Sequence, residues 1–205
     1  MGAVVDGAGV LLTAFAAMSG RLGVLTLGVL LCLLGSLFVA FCLYFYRDPE
    51  RALPTDDRIY SPGDGRVLSV GREGPGDTVT LRIFLSVFDV HIQRAPCAGT
   101  VAKVHYQPGT FRAAMVEEAH HNERSIMTIT PEGGKLPLVV EQIAGYVARR
   151  IETWPKVGQK VKAGERYGII YFGSQAAVHF PAGSRCTVKV GDRVAAGVTP
   201  IGEWI

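Results

Sequence analysis

Cysteine chemistry is the first thing this sequence lacks. Of its four cysteines, Cys32 and Cys42 lie in an apolar run, and Cys97 and Cys186 stand far apart. They form neither a metal-ligand spacing nor a disulfide framework, so no metal site is expected. A strong charge imbalance is also missing. With 21 Lys and Arg against 18 Asp and Glu, the formal net charge is +3. That excess suits an anionic membrane surface and is too mild for a nucleic-acid footprint. Arg21, Arg47 and Arg51 are balanced by Asp6, Asp48 and Glu50, so the excess belongs to the chain beyond residue 51. The Gly-x-Ser-x-Gly elbow of a serine hydrolase is absent too, because Phe172 and Ala176 stand two residues either side of Ser174.

Charge is missing altogether from Leu22 to Tyr46. As a helix this run would reach about 37 Å, enough to cross a hydrocarbon core of about 30 Å with some tilt. Tyr44, Phe45 and Tyr46 followed by Arg47 make an interfacial aromatic belt with a basic anchor. The earlier uncharged stretch, residues 7–19, would reach only about 20 Å, and a re-entrant or interfacial helix is expected there. No basic residue precedes it, which argues for a retained anchor over a cleaved signal peptide. Residues 1–51 are therefore expected to be the membrane anchor, and residues 52–205 one domain large enough to bury a core.

Beyond Pro54, short β-prone runs are punctuated by glycine and proline, so the domain is expected to be mainly β. The expected strands are 66–70, 78–85, 99–106, 125–130, 138–144, 167–172, 177–180 and 184–188. Only 111–120 has a helical look. One repeat stands out: Val157-Gly-Gln-Lys-Val-Lys-Ala-Gly164 recurs as Val190-Gly-Asp-Arg-Val-Ala-Ala-Gly197. Its glycines are expected in turns with positive φ and its valines inside. The pattern resembles the hammerhead of biotinyl and lipoyl domains, which implies a barrel-sandwich hybrid fold. A carrier domain would present a lysine between two such repeats, whereas here Ser174 stands at the apparent turn and no lysine appears until Lys189.

Several groups of residues bear chemistry. In Gly173-Ser174 the hydroxyl faces an upstream carbonyl uncrowded by a side chain, which suits self-cleavage if a base and an oxyanion stabiliser are near, although Gly-Ser is also ordinary turn chemistry. Arg47-Asp48-Pro49-Glu50-Arg51 follows the anchor, and alone reads as a solvated linker. Ser61-Pro62-Gly63-Asp64-Gly65 puts a carboxylate in a glycine-flanked turn. In Phe88-Asp89-Val90-His91-Ile92-Gln93-Arg94, an extended chain would put Asp89 and His91 on one face, where the carboxylate could orient the imidazole. Asn122-Glu123-Arg124 and Ala148-Arg149-Arg150 offer arginines that could hold a phosphate, though solvated surface arginines are commoner.

Together, and in this order, these segments resemble the shorter, archaeal-type class of phosphatidylserine decarboxylases, over nearly the whole chain. The motifs are Arg-Asp-Pro-Glu-Arg, Ser-Pro-x-Asp-Gly, Phe-Asp-Val-His-x-x-Arg-Ala-Pro, Asn-Glu-Arg, Ile-Ala-Gly-x-x-Ala-Arg-Arg-Ile and Phe-Gly-Ser. The resemblance implies a pyruvoyl group made from the chain itself. Ser174 Oγ attacks the Gly173 carbonyl, elimination from the ester frees a β-chain 1–173, and loss of ammonia leaves pyruvoyl heading an α-chain 174–205. The group serves as an electron sink while phosphatidylserine loses CO2 to give phosphatidylethanolamine. Asp64 matches the acid needed for self-cleavage and His91 the proton-delivering histidine. Asp89, Arg94, Asn122, Arg124, Arg149 and Arg150 form the expected substrate-binding set. Longer relatives carry a second histidine where this chain has Arg94, so either His91 or Asp64 acting through water is left as base. Gln175 stands where arginine or threonine is common. The expected partners are the lipid substrate, the membrane and the two chains of one precursor, with a homodimer compatible and no nucleic acid. The expected location is the cell membrane, catalytic domain toward the cytoplasm. The alternative is a membrane-anchored lipoyl-like export adaptor, but no stretch sustains the three apolar heptads of its helical hairpin.

Overall fold

The computed structural model describes residues 2–19, 22–73, 78–112, 121–145, 150–171 and 174–205. The chain forms two compact units, Met1–Arg47 and Asp48–Ile205.

The first unit is a pair of helices, α1 (Gly2–Ser19) and α2 (Leu22–Phe45). A Cβ at Gly9 would lie 2.7 Å from the Cys32 amide nitrogen, and one at Gly28 would lie 2.5 Å from the Thr13 hydroxyl. Small residues thus let the two backbones touch, as membrane helices do. Among the described residues α2 is the helix long and apolar enough to cross a bilayer. The short piece expected from residue 7 is corrected: α1 begins at Gly2 and takes Asp6 into its first turns. The Arg47 guanidinium closes the unit, lying 3.9 Å from the centre of the Tyr44 ring.

The second unit is mainly β, as expected. Its strands are β1 (Arg58–Tyr60), β2 (Gly65–Glu73), β3 (Thr78–Leu85), β4 (Ile92–Arg94), β5 (Gly99–Gln107), β6 (Arg124–Thr130), β7 (Leu138–Ala144), β8 (Ile151–Thr153), β9 (Lys160–Val161), β10 (Arg166–Ile170), β11 (Ser174–Phe180), β12 (Ser184–Cys186), β13 (Arg193–Val194) and β14 (Pro200–Trp204). A curled eight-stranded antiparallel sheet runs β13-β2-β3-β11-β7-β6-β5-β9, and two three-stranded sheets run β1-β14-β12 and β4-β10-β8. The inner face of the large sheet carries the core: Leu81, Ile83, Leu85, Ala176, Val178, Val140, Met127 and Ile129 are essentially inaccessible. Cys97 is buried among them, which pushes its thiol up to about 12 and leaves it inert.

The repeat explains the outline of the large sheet. Its two copies contain β9 and β13, the two edge strands. Gly158 and Gly191 have φ of 89° and 91°, and Gly164 and Gly197 have φ of 75° and 66°. The contacts repeat as well: Gly158 N donates to Val101 O at 2.8 Å, and Gly191 N to Val67 O at 2.9 Å. Of the valines only half behave as expected. Val161 and Val194 are buried, whereas Val157 and Val190 are 62% and 60% exposed. The exposed pair precede the turn glycines, outside the paired strands, so nothing packs over them.

Two further expectations change. Ser174 does not sit at a turn; it opens β11, which pairs on both sides, and small Ala176 and Ala177 let that central strand fit. Most of the helical stretch expected at 111–120 lies outside the described residues, and Phe111 and Arg112 are not helical.

Candidate active site

The Gly173-Ser174 bond lies where the chain passes from one sheet to another. β10 ends at Ile170 in a three-stranded sheet, and β11 begins at Ser174 in the centre of the eight-stranded one. Gly173 itself is outside the described residues. The Ser174 backbone stands opposite Leu85 of β3 and Ala144 of β7. The main chain at Ser174 is therefore paired on both sides by neighbouring strands.

His91 reaches the same junction from the other strand end. After Leu85 the chain makes a short loop, and the carbonyl of His91 then accepts the Ile170 N–H at 3.3 Å. His91 is 1% exposed, with Nδ1 2.9 Å from the main-chain oxygen of Asp89. A carbonyl can only accept, so Nδ1 carries a proton and donates it to this oxygen. Here the expected geometry is corrected. The Asp89 carboxylate does not orient the ring. Residues 86–90 form a turn in which Asp89 Oδ2 accepts from the Ser86 amide at 2.8 Å and hydroxyl at 2.7 Å, while Oδ1 accepts from Arg193 at 3.0 Å. The Ser-x-x-Asp spacing favours this side-chain-closed turn over an extended strand.

The Asp64 turn abuts this site. A Cβ on Gly63 would lie 3.0 Å from Gln93 Oε1 and 3.4 Å from a Leu85 methyl. One on Gly65, where φ is 155°, would collide with the Phe84 carbonyl, so the close approach requires glycine. Asp64 takes both prongs of the Arg51 guanidinium, at 2.7 and 2.8 Å, and the Ala196 amide at 2.7 Å. The hydrogen bond to Asp64 holds the Arg51 guanidinium above its ordinary pKa. The segment after the anchor is therefore no solvated linker: Arg166 pairs with both Asp48 and Glu50. Arg94 is buried across the same segment, donating to Pro49 O and Gly164 O at 3.0 Å each and facing Asp48 at 3.5 Å. Burial, and then the nearby charges of Arg166 and Arg51, lower its pKa.

The family model for phosphatidylserine decarboxylase matches residues 38–202. The chain belongs to the phosphatidylserine decarboxylase family. Proteins named phosphatidylserine decarboxylase proenzyme from Symbiobacterium thermophilum and Solibacter usitatus are similar, at 47% identity over 170 residues and 45% over 162. The first alignment spans 80% of this chain and 79% of the relative, the second 78% of each. One from Desulfotalea psychrophila is 39% identical, over 82% of both chains. The export-adaptor alternative finds no support, and no helix of that kind occurs among the described residues of 48–205.

Within this decarboxylase family fold, most of the expected substrate-binding set turns inward. Asn122 is 1% exposed and spends both its amide hydrogens on Arg112 O and Ala144 O, while its oxygen accepts from Thr110 and Arg112. Arg124 binds Asn122 O at 3.2 Å and Glu141 at 3.1 Å. These two, like Asp89 and Arg94, spend polar atoms on neighbouring groups of the fold. Arg149 is outside the described residues. Arg150 is exposed beside the cleavage segment, paired with Glu152 at 2.7 Å and 5.7 Å from the Tyr171 ring centre.

Sequence reasoning missed the chain of groups on the outer face of the large sheet. His179 lies 2.9 Å from both Thr80 and Glu141, and Glu141 joins Arg124. The available signal was Glu141 itself, a carboxylate inside the apolar run Leu138-Val-Val-Glu-Gln-Ile-Ala144. Among the described residues no cluster could hold a metal ion.

Proposed function

We propose that this chain is the proenzyme of a pyruvoyl-dependent phosphatidylserine decarboxylase, which makes phosphatidylethanolamine and CO2 for phospholipid synthesis. Family membership carries the reaction. The observation that ties it to this chain is that Leu85, opposite Ser174, and His91, bonded to Ile170, bracket the two sides of the Gly173-Ser174 junction.

In this reading Ser174 supplies the nucleophile for self-cleavage, and the group it leaves supplies an electron sink for the pair released with CO2. His91 holds a proton on Nδ1 against Asp89 O and presents Nε2 as the proton-moving atom. Asp64 acts as a positioning residue, locking Arg51 and the Ala196 amide so that its turn presses on Leu85 and Gln93. Arg150 with Tyr171 is the described arginine placed to receive the lipid phosphate.

The apolar helix pair associates the protein with the membrane, and we assign the catalytic unit to the cytoplasmic side, where newly made lipid is presented. Protease outside intact cells should leave it undigested; digestion there would reverse the assignment. Purified protein given carboxyl-labelled phosphatidylserine should release labelled CO2 and accumulate phosphatidylethanolamine, and the Ser174→Ala variant should do neither. Release by Ser174→Ala at the parent rate would end this reading.

A further inference from the structure

The geometry points to a lipid-contacting surface on the catalytic unit itself, built by the Ser86–Val90 loop and the Lys189–Arg193 hairpin, with Phe88 and Val190 as its apolar contacts. The inference rests on the decarboxylase reading, because it supplies the path by which a bilayer-borne head group would reach Ser174.

Phe88 is 65% exposed and Val190 60%. Phe88 stands at the apex of a five-residue loop, and this loop is not slack. Asp89 closes it on Ser86 through two hydrogen bonds and ties it to the neighbouring hairpin through Arg193. That hairpin is itself fixed, by Gly191 N to Val67 O, Val67 N to Asp192 O and Arg66 to Gly191 O. The two apolar tips are thus carried on one rigid support.

The polar surroundings suit an anionic head-group layer. Arg66, Lys189 and Arg193 are exposed around the tips. The nearby carboxylates are half-buried and used internally: Asp89 on Ser86 and Arg193, and Asp192 on the Lys189 amide. Apolar side chains ringed by exposed cations are what a surface carrying acidic phospholipid would recognise.

Placement completes the argument. The loop leaves from Leu85, opposite Ser174, and arrives at His91. A substrate whose acyl chains stay in the bilayer can be processed only where the reacting atoms lie close to the membrane surface, and this loop is joined directly to both Leu85 and His91. The internal repeat supplies a built-in control. Val157 at the other hairpin is equally exposed, at 62%, but it precedes the opposite edge strand, β9, which pairs with β5 and not with β2.

The test uses the full-length chain in vesicles of phosphatidylcholine and phosphatidylserine with brominated acyl chains. A Ser174→Ala background keeps the lipid composition constant and makes the readout independent of turnover. Phe88→Trp should show bromine quenching well beyond that of native Trp154 and Trp204, and Val157→Trp should show none in excess. Equal quenching at both positions, or none at 88, would overturn the surface. In the cleavable parent, Phe88→Glu should lower kcat/KM on vesicles about tenfold more than on monomeric short-chain phosphatidylserine. An unchanged ratio would also overturn it, while loss of CO2 release from the parent would strike the decarboxylase reading alone.

Discussion

An imidazole whose Nδ1 donates to a main-chain carbonyl is committed to one tautomer, and that commitment is the main residue-level result. Arg94, which stands where longer relatives have a second histidine, is held by Pro49, Gly164 and Asp48, and Asp64 is held by Arg51. With these two engaged, our proposal gives the proton work of both cleavage and turnover to His91. Replacing it with alanine should slow fragment formation and lipid turnover alike, each by about 10²- to 10⁴-fold; fragments appearing at the parent rate would assign cleavage to another base. Glu141 gives a separate prediction. Burial alone would raise its pKa, but the hydrogen bond from His179 and the charges of His179, Arg124 and Arg82 outweigh it and hold the carboxyl below its ordinary value. A depressed carboxylate contributes stability that is present above its unfolded pKa and is lost as pH falls through the folded one. Melting temperature should thus drop on acidification below the ordinary carboxylate range, and Glu141→Gln should flatten that drop while lowering stability near neutrality. Parallel curves for the two proteins would show that Glu141 carries none of the acid sensitivity. Ser174, His91 and Asp64 could be singled out as candidates from sequence because their motifs are local. The partners of Asp64 could not, since Arg51 and Ala196 meet it only through the fold, and for His91 the sequence pointed to the Asp89 carboxylate where the contact is the Asp89 carbonyl.

At the scale of elements, the strands with several consecutive β-branched residues could be read from sequence, and β3 and β7 have the expected limits. The short strands β1, β4, β8, β9, β13 and β14 could not, because two to five residues form a strand only when a distant partner supplies the hydrogen bonds. The repeat was readable and gave the edges of the large sheet, but it misplaced Val157 and Val190. Ser174 was misread as a turn for a related reason. Gly-Ser is local turn chemistry, and the pairing with β3 and β7 that makes Ser174 a strand residue is non-local. That pairing has a consequence after cleavage. The α-chain would contribute β11 to the middle of the eight-stranded sheet, β13 to its edge, and β12 and β14 to another sheet. The two chains should therefore co-elute as one species in native buffer and separate only in denaturant. Loss of the α-chain on gel filtration without denaturant would contradict the topology.

For the whole molecule, a helix pair able to sit in a bilayer is followed at once by residues 48–51, which are bound into the catalytic unit through Arg94, Arg166 and Asp64. Residues 48–51 are thus part of the fold of the second unit, and the central proposal is that the chain processes itself between Gly173 and Ser174. Intact-mass spectrometry of the purified full-length protein under denaturing conditions tests this most directly. The account predicts two polypeptides: residues 1–173 ending in a normal carboxyl group, and residues 174–205 headed by pyruvoyl, with Ser174→Ala remaining a single chain. A parent protein that stays one chain with an unmodified serine at 174, yet still decarboxylates phosphatidylserine, would contradict it.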